Sequence, residues 1–150
     1  KILESVAVVP GTDGEKMSKS YGNVINMFLP EKDLKKQIMN IVSDSTPLEE
    51  PKNPDNNIMK IYSLFATKEE IEILKSKFEA GNYGYGHAKT ELFEKIMEHF
   101  SDARKKREEL TNNMDYVHAI LKEGSNRARE IAAKKVSIAR DAVGLLGRNY

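Results

Sequence analysis

GTDGEKMSKSYGN, residues 11–23, divides this chain into two unequal parts. Before it, residues 2–10 form a short apolar run that predicts one strand. After it, apolar residues recur at helical spacing. The stretch itself combines glycines with two lysines, which predicts a mobile, cationic loop rich in hydrogen-bond donors. Such a loop suits a polyphosphate, because Lys16 and Lys19 can close on the phosphates as charge develops and open again for product release.

The composition is that of an ordinary globular protein. The chain has 150 residues, 39% of them hydrophobic and 31% charged, which is enough apolar material for one core. No apolar run approaches the ~20 residues that cross a bilayer, so a membrane span is excluded. The absence of cysteine excludes disulfide frameworks and thiolate zinc sites. A net charge of +1 does not by itself predict a nucleic-acid partner.

The apolar spacing predicts a helical bundle over residues 30–150, preceded by a segment, residues 1–29, that belongs to another domain. A solitary strand over residues 2–10 is not a stable unit, so we expect the chain to begin inside a larger domain. The predicted helices run from Pro30 to about Val42, through Ile58–Phe65, from Thr67 to Gly81, from His87 to about Asn112, from Met114 to Gly124, and from Ser125 to Leu146.

Local signals support several of these boundaries. Thr67 and Glu70 form a capping box, and Gly124 followed by Ser125 has the pattern of a helix end and a new N-cap. Residues 43–54 contain three prolines and are predicted to be a loop. Small residues on the apolar stripe of the last helix predict close packing against another helix.

The lysine run with the trailing Gly-Asn resembles the signature loop of class I aminoacyl-tRNA synthetases, and the rest of the chain is similar to the C-terminal part of the tryptophanyl enzymes. One departure is Tyr21-Gly22, where many members have an acidic residue and a proline. The segments that match that family in order and spacing are Ser43–Ser45, Asn82–Gly86 with Lys89, Glu123–Gly124 and Val143–Leu145.

The resemblance implies a mainly α fold in which residues 30–150 are a helical C-terminal domain of the anticodon-binding type. Residues 1–29 would then be the last strand and the ATP loop of a Rossmann-type α/β catalytic domain. Lys16 and Lys19 would be catalytic, because they would stabilise the pyrophosphate leaving group. The residues expected to bind ATP are Lys16, Met17, Ser18, Lys19 and Ser20.

The activity implied is that of a tryptophan–tRNA ligase in protein biosynthesis. ATP would activate tryptophan as tryptophanyl-adenylate, which is then transferred to tRNA(Trp), with Mg²⁺ accompanying ATP and no protein-bound metal. The resemblance also implies a homodimeric, cytoplasmic full-length protein without a membrane partner. The histidine–glycine motif with which this family binds adenine is absent here, where His87, His99 and His118 stand alone. We therefore expect this chain to be a fragment that is inactive by itself.

Basic residues of the last helices allow two interpretations. As a bare pattern they form a solvated helix face, whereas the resemblance implies contacts to the phosphates of a tRNA anticodon arm. The candidates are Arg104, Lys105, Arg107, Arg127 and Lys134. Asp44 has two interpretations as well, a turn residue or a brace between the helical domain and the lysine loop.

Two other functions remain open at this point. The first is a fragment of another class I synthetase, of the tyrosyl or methionyl type, since several of these enzymes share lysine loops ending in Gly-Asn. The length and helical pattern after Ser20 favour the small tryptophan and tyrosine subclass. The second is a non-catalytic helical module that binds RNA.

Overall fold

The structure, a computed structural model, describes residues 8–145 and is mainly helical. Within that range no strand forms, and the only sheet-like pairing is an isolated antiparallel bridge between Pro10 and Lys16. The expectation of a mainly α protein is confirmed. The strand over residues 2–10 lies largely outside the described residues, so its Rossmann assignment and the domain boundary at residues 29–30 stay predictions.

The described residues form six α-helices in two compact units, one ending at Arg104 and the other beginning at Lys105. The lysine loop and the first four helices belong to the first unit. None of the helices in residues 8–145 is both long and apolar enough to span a membrane. The helices are α1 (Glu31–Met39), α2 (Asn57–Tyr62), α3 (Lys68–Ala80), α4 (Tyr85–His99), α5 (Ser101–Thr111) and α6 (Met114–Ala142).

A single hydrophobic core holds the first unit together. Helix α4 packs against α1 and α2, and α2 also packs against α3. Each of these helices contributes the apolar stripe that its sequence spacing predicts. Burying that stripe stabilises the fold by about 25 cal/mol for each Å² of apolar surface removed from water. The fully buried helical residues are Leu34, Ile38, Ile58, Ile61, Leu74, Phe78, Ala88, Leu92 and Ile96.

The first three predicted helices are confirmed with shorter bounds. The capping box is present as expected, since Thr67 Oγ1 accepts from the Glu70 amide and the Glu70 carboxylate accepts from the Thr67 amide. Helix α1 ends at Met39, however. Ile41, which lies in the turn after the helix, is buried, whereas Val42 is 60% exposed. The predicted helix end at about Val42 was therefore wrong by three residues.

The predicted long helix from His87 to Asn112 is interrupted at Phe100. Helix α4 begins two residues earlier than expected, at Tyr85, and ends at His99 with Phe100 as its C-cap. The Phe100 ring then lies 5.7 Å from that of Phe65, in an edge-to-face arrangement. Tertiary packing of the aromatic ring therefore accompanies a break that helical periodicity alone did not indicate.

The two predicted helices at the C-terminal end are one continuous helix. Helix α6 runs through Gly124 and Ser125, and Gly124 keeps a helical backbone instead of the left-handed conformation of a C-cap. A glycine inside a helix costs only about 1 kcal/mol, which good helix formers on both sides offset. The stripe expected to face inward is exposed in the described structure, with Val136 51% and Val143 69% accessible. Leu146 lies outside the described residues.

Candidate functional site

Asn23, the last residue of the lysine loop at residues 11–23, is buried and holds the loop together through its side-chain amide. Its side chain is 97% buried, with Oδ1 accepting from the Ser18 amide at 2.8 Å. Its Nδ2 donates to Asp13 Oδ1 at 2.8 Å and to the Lys16 carbonyl at 3.1 Å. One buried amide thus fixes the backbone at Lys16 and at Ser18, on the two sides of Met17.

The start of the loop is a tight turn packed on Asn23. The Gly11 amide donates to the Glu15 carbonyl at 2.7 Å, and the Thr12 amide donates to the Asn23 carbonyl at 2.9 Å. Gly11 is buried so closely against Asn23 that an added Cβ would lie 2.7 Å from the Asn23 carbonyl oxygen. Only glycine fits there.

The lysine-bearing end of the loop is exposed and forms a short 3₁₀ turn, Lys19–Tyr21. Ser18 caps this turn, since its Oγ accepts from the Ser20 amide at 3.3 Å. Lys16, Lys19 and Ser20 are exposed, whereas Met17 packs, partly buried, against the hydrophobic core. Two ammonium groups and a hydroxyl are therefore displayed on a backbone whose neighbouring methionine is anchored in the core. The chemistry open to this arrangement is electrostatic stabilisation of an incoming polyanion.

Two hydrogen bonds join the turn at Gly11–Gly14 to the helical part of the first unit. Asn57 Nδ2, at the start of α2, donates to the Gly11 carbonyl at 2.9 Å. The Val42 amide, just after α1, donates to the Thr12 carbonyl at 2.8 Å. Sequence reasoning missed both contacts, because neither residue belongs to a motif and the pairs are far apart along the chain.

Asp44, the other candidate for such a link, makes a local turn. Its Oδ1 accepts from the Thr46 amide at 2.9 Å and from the Tyr85 hydroxyl at 2.8 Å. Hydrogen bonds from Thr46, followed by the one from Tyr85, hold the pKa of the Asp44 carboxyl below its usual value. These contacts match the turn interpretation, and none of them reaches the lysine loop.

The loop over residues 43–54 is fixed by a buried lysine that the sequence did not single out. Lys52 is 97% buried, and its amine donates to the carbonyls of Pro47, Leu48 and Glu50 at 2.8, 3.2 and 3.2 Å. A buried ammonium requires such partners. The charge of Lys52 therefore stabilises the loop itself and is unavailable to a ligand.

The basic candidates for RNA contact divide between the two compact units. In the first, Arg104 donates from its guanidinium to the carbonyls of Met27 and Leu29, which fastens the segment before α1. In the second, Lys105 and Arg107 on α5 and Arg127 and Lys134 on α6 are exposed. The structure does not test their contact with RNA, which stays a prediction.

No cluster of three or more metal-ligating side chains occurs among residues 8–145.

Comparison with known proteins shows which family this chain resembles. The family model for class I tRNA synthetases of the W and Y type matches residues 2–101. The tryptophan–tRNA ligase of Fusobacterium nucleatum is 62% identical over 99% of this chain, and that of Rhodopirellula baltica is 49% identical over 97%. In both cases the chain covers 46% of the relative, so it spans about half the length of the curated proteins it matches.

A solved structure agrees with these relatives. The tryptophanyl-tRNA synthetase of Campylobacter jejuni, complexed with ADP and tryptophan, superposes with a TM-score of 0.88 at 46% identity, over 97% of this chain and 46% of that one. The resemblance inferred from the lysine loop and the segments after it is thereby confirmed. With its lysine loop and its first four helices matched by one family model over two thirds of its length, the chain belongs to the class I tRNA synthetases of the tryptophan and tyrosine type.

Proposed function

We propose that this chain is part of a tryptophan–tRNA ligase that forms tryptophanyl-adenylate from tryptophan and ATP and transfers the tryptophanyl group to tRNA(Trp). The observation that carries the proposal is the lysine loop, whose two exposed lysines stand on a backbone fixed by the buried Asn23. The 62% identity to a tryptophan–tRNA ligase favours tryptophan over tyrosine or methionine as the amino acid.

The loop acts when the tryptophan carboxylate attacks the α-phosphate. As the new carboxyl–phosphate bond forms, the bond from the α-phosphorus to the bridging oxygen breaks, and both electrons of that bond leave with pyrophosphate. Lys16 and Lys19 neutralise the charge that accumulates on the leaving β- and γ-phosphates, with Met17, Ser18 and Ser20 supplying backbone and hydroxyl donors. Mg²⁺ bound to ATP would neutralise part of the same charge.

The remaining partners are extensions of this proposal. The exposed basic residues Lys105, Arg107, Arg127 and Lys134 are proposed to position the anticodon arm through its phosphates, whereas the guanidinium of Arg104 holds the segment before α1. Arg127 and Lys134, exposed and seven residues apart, lie on one face of α6 and are the pair best placed to act together. The full-length protein is proposed to be a homodimer of the cytoplasm.

Amino-acid-dependent pyrophosphate exchange tests the activity. We expect the full-length protein to exchange labelled pyrophosphate into ATP with tryptophan and not with tyrosine or methionine, and we expect the 150-residue chain alone to show no exchange. Exchange that prefers another amino acid would refute the substrate assignment. The absence of exchange with any amino acid would favour a non-catalytic RNA-binding module.

Binding of tRNA is tested separately. Replacing Arg127 and Lys134 together by alanine should weaken tRNA(Trp) binding and flatten its salt dependence, because two phosphate contacts are removed. Pyrophosphate exchange should be unchanged, since adenylate formation does not need tRNA. Replacing Lys68 and Lys75, two lysines of α3, provides the control for loss of positive charge elsewhere.

A further inference from the structure

We propose that Asn57 is a positioning residue for the lysine loop: it fastens the turn at Gly11–Gly14 to the start of α2, so that Lys16 and Lys19 work from a fixed base. This inference rests on the proposed function for its catalytic consequence. The fastening itself is a separate claim about structure. Neither follows from the lysine motif, which does not include Asn57.

The side chain of Asn57 packs against the turn at Gly11–Gly14. Its Nδ2 donates to the Gly11 carbonyl at 2.9 Å, and that carbonyl also accepts from the Gly14 amide at 3.1 Å. A Cβ added at Gly14 would lie 3.8 Å from Asn57 Cγ. The amide group therefore donates to one end of the turn and lies near the other, and the Gly11 carbonyl has both of its lone pairs engaged.

The position of Asn57 within α2 makes it a rigid support. Asn56 caps the helix, with its Oδ1 accepting from the Met59 amide at 3.0 Å. Ile58 and Met59, the residues that follow Asn57, are buried in the core. A side chain on such a fixed helical start has little freedom to follow the turn if the turn shifts.

The amide oxygen of Asn57 is a further reason to assign this residue to the bond with Gly11. Oδ1 is buried and has no hydrogen-bond partner among the described residues. Since an unpaired buried acceptor is unfavourable, local burial alone does not explain an asparagine here. Among residues 8–145, the one hydrogen bond that the side chain of Asn57 makes is the donation to the Gly11 carbonyl, and we assign the residue to that purpose.

The consequence for the reaction follows from the geometry of the loop. Asn23 fixes the backbone at Ser18 and Lys16, while Asn57 fixes the turn from which that backbone departs. The lysines can then move toward the phosphates without displacing the turn. Loss of Asn57 should misplace them in the transition state and leave binding of tryptophan unaffected.

Asn57→Asp in the full-length protein tests the inference. The change keeps the size of the side chain and suits a helix N-terminus, but it removes the Nδ2 donor and sets a carboxylate against the Gly11 carbonyl. We expect faster amide hydrogen exchange within residues 11–23 and a kcat for pyrophosphate exchange lowered by about tenfold or more, at an unchanged KM for tryptophan. Asn57→Ser, whose hydroxyl is shorter, should act in the same direction if the aspartate variant folds poorly.

Asn56→Asp is the matched control, because it makes the same chemical change one residue away and keeps the capping oxygen. If either hydrogen exchange or kcat in the Asn57 variants equals that of Asn56→Asp, the positioning role is refuted. Lys16→Met separates the two claims. Normal pyrophosphate exchange by Lys16→Met would refute the proposed function of the loop, whereas a loss there with normal exchange by the Asn57 variants would refute this inference alone.

Discussion

The two ends of the lysine loop differ in how they are held. At the base, Gly11 and Asn23 are buried and linked to the helical part through Asn57 and Val42. At the tip, Lys19–Tyr21 form a single 3₁₀ turn, and Tyr21 is 71% exposed. The base has the properties of a folded core and the tip those of a surface turn, although only a few residues separate them.

This difference indicates a division of labour. A group that stabilises charge in a transition state must be able to reach the substrate, but it must also start from a defined position. An exposed tip satisfies the first requirement and a buried base satisfies the second. Substitutions at the tip should therefore change activity with little effect on stability, and substitutions at the base should change both.

The largest effect is expected at the two exposed lysine side chains of the loop, from Lys16→Met and Lys19→Met in the full-length protein. Each should lower the rate of adenylate formation by roughly 10²–10³-fold, as removal of one transition-state donor does elsewhere. The free energy of unfolding should change by less than about 0.5 kcal/mol, because both side chains are exposed. Pyrophosphate exchange and urea denaturation measure the two quantities.

Lys32→Met provides the control for this pair, since Lys32 is an exposed lysine of α1 outside the loop. It should leave both the rate and the stability unchanged. A loss of stability above about 1 kcal/mol in the Lys16 or Lys19 variant would contradict the expectation that these exposed side chains contribute little to the stability of the fold.

Gly11→Ala should have the largest effect at the base. The added methyl group would lie 2.7 Å from the Asn23 carbonyl oxygen, so the turn must shift. Overpacking of this kind costs about 1–3 kcal/mol, and the displaced turn should also weaken the bond from Asn57. Urea denaturation measures the loss of stability, and a wild-type unfolding midpoint would show that the base is less tightly packed than the contact implies.

How much of this could be predicted from sequence depends on how local the determining interaction is. The capping box at Thr67 and the proline-containing loop are set by neighbouring residues, and both were identified correctly. The lysine motif is equally local, and it indicated the correct family. The bond from Asn57 to Gly11 spans 46 residues and has no pattern in the chain. It became visible only when the turn and α2 were placed together.

The errors in the helices have the same origin. Phe100 ends α4 where its ring packs against Phe65, a contact that periodicity within one helix does not contain. Gly124 and Ser125 carried local signals for a break, but the helix-forming residues on both sides were stronger. Local rules therefore predicted which segments are helical and failed where tertiary contacts or competing propensities set the boundary.

Gly22→Ala sharpens the comparison, because it is the equivalent change at the tip. Gly22 has a φ of 69°, in the left-handed region, but a Cβ there would meet nothing within 4 Å. Only the backbone preference is lost, at a cost of about 1 kcal/mol. Its loss of stability should be smaller than that of Gly11→Ala. The reverse order in urea denaturation would show that backbone conformation, not packing at the base, dominates the energetics of the loop.

The smallest effect is expected outside the lysine loop, at Tyr85→Phe. This change removes the hydrogen bond to Asp44, and because Asp44 is exposed and Tyr85 is only partly buried it should cost less than about 1 kcal/mol. Pyrophosphate exchange should be unchanged, since Asp44 makes a turn with Thr46 and the link to the lysine loop runs through Asn57. If pyrophosphate exchange fell as much as in Asn57→Asp, Asp44 would instead be a brace between the helical domain and the lysine loop.

The pH dependence of stability gives a second test of the hydrogen bond between Tyr85 and Asp44. Burial, followed by the bond to Asp44, raises the pKa of Tyr85 from 10.0 to about 12. The neutral phenol is therefore favoured in the folded state, so its contribution is complete below pH 10 and is lost as the pH rises through about 12. In this window wild-type stability should fall more steeply than that of Tyr85→Phe, and equal slopes in urea denaturation would show that Tyr85 ionises as freely in the folded chain as in the unfolded one.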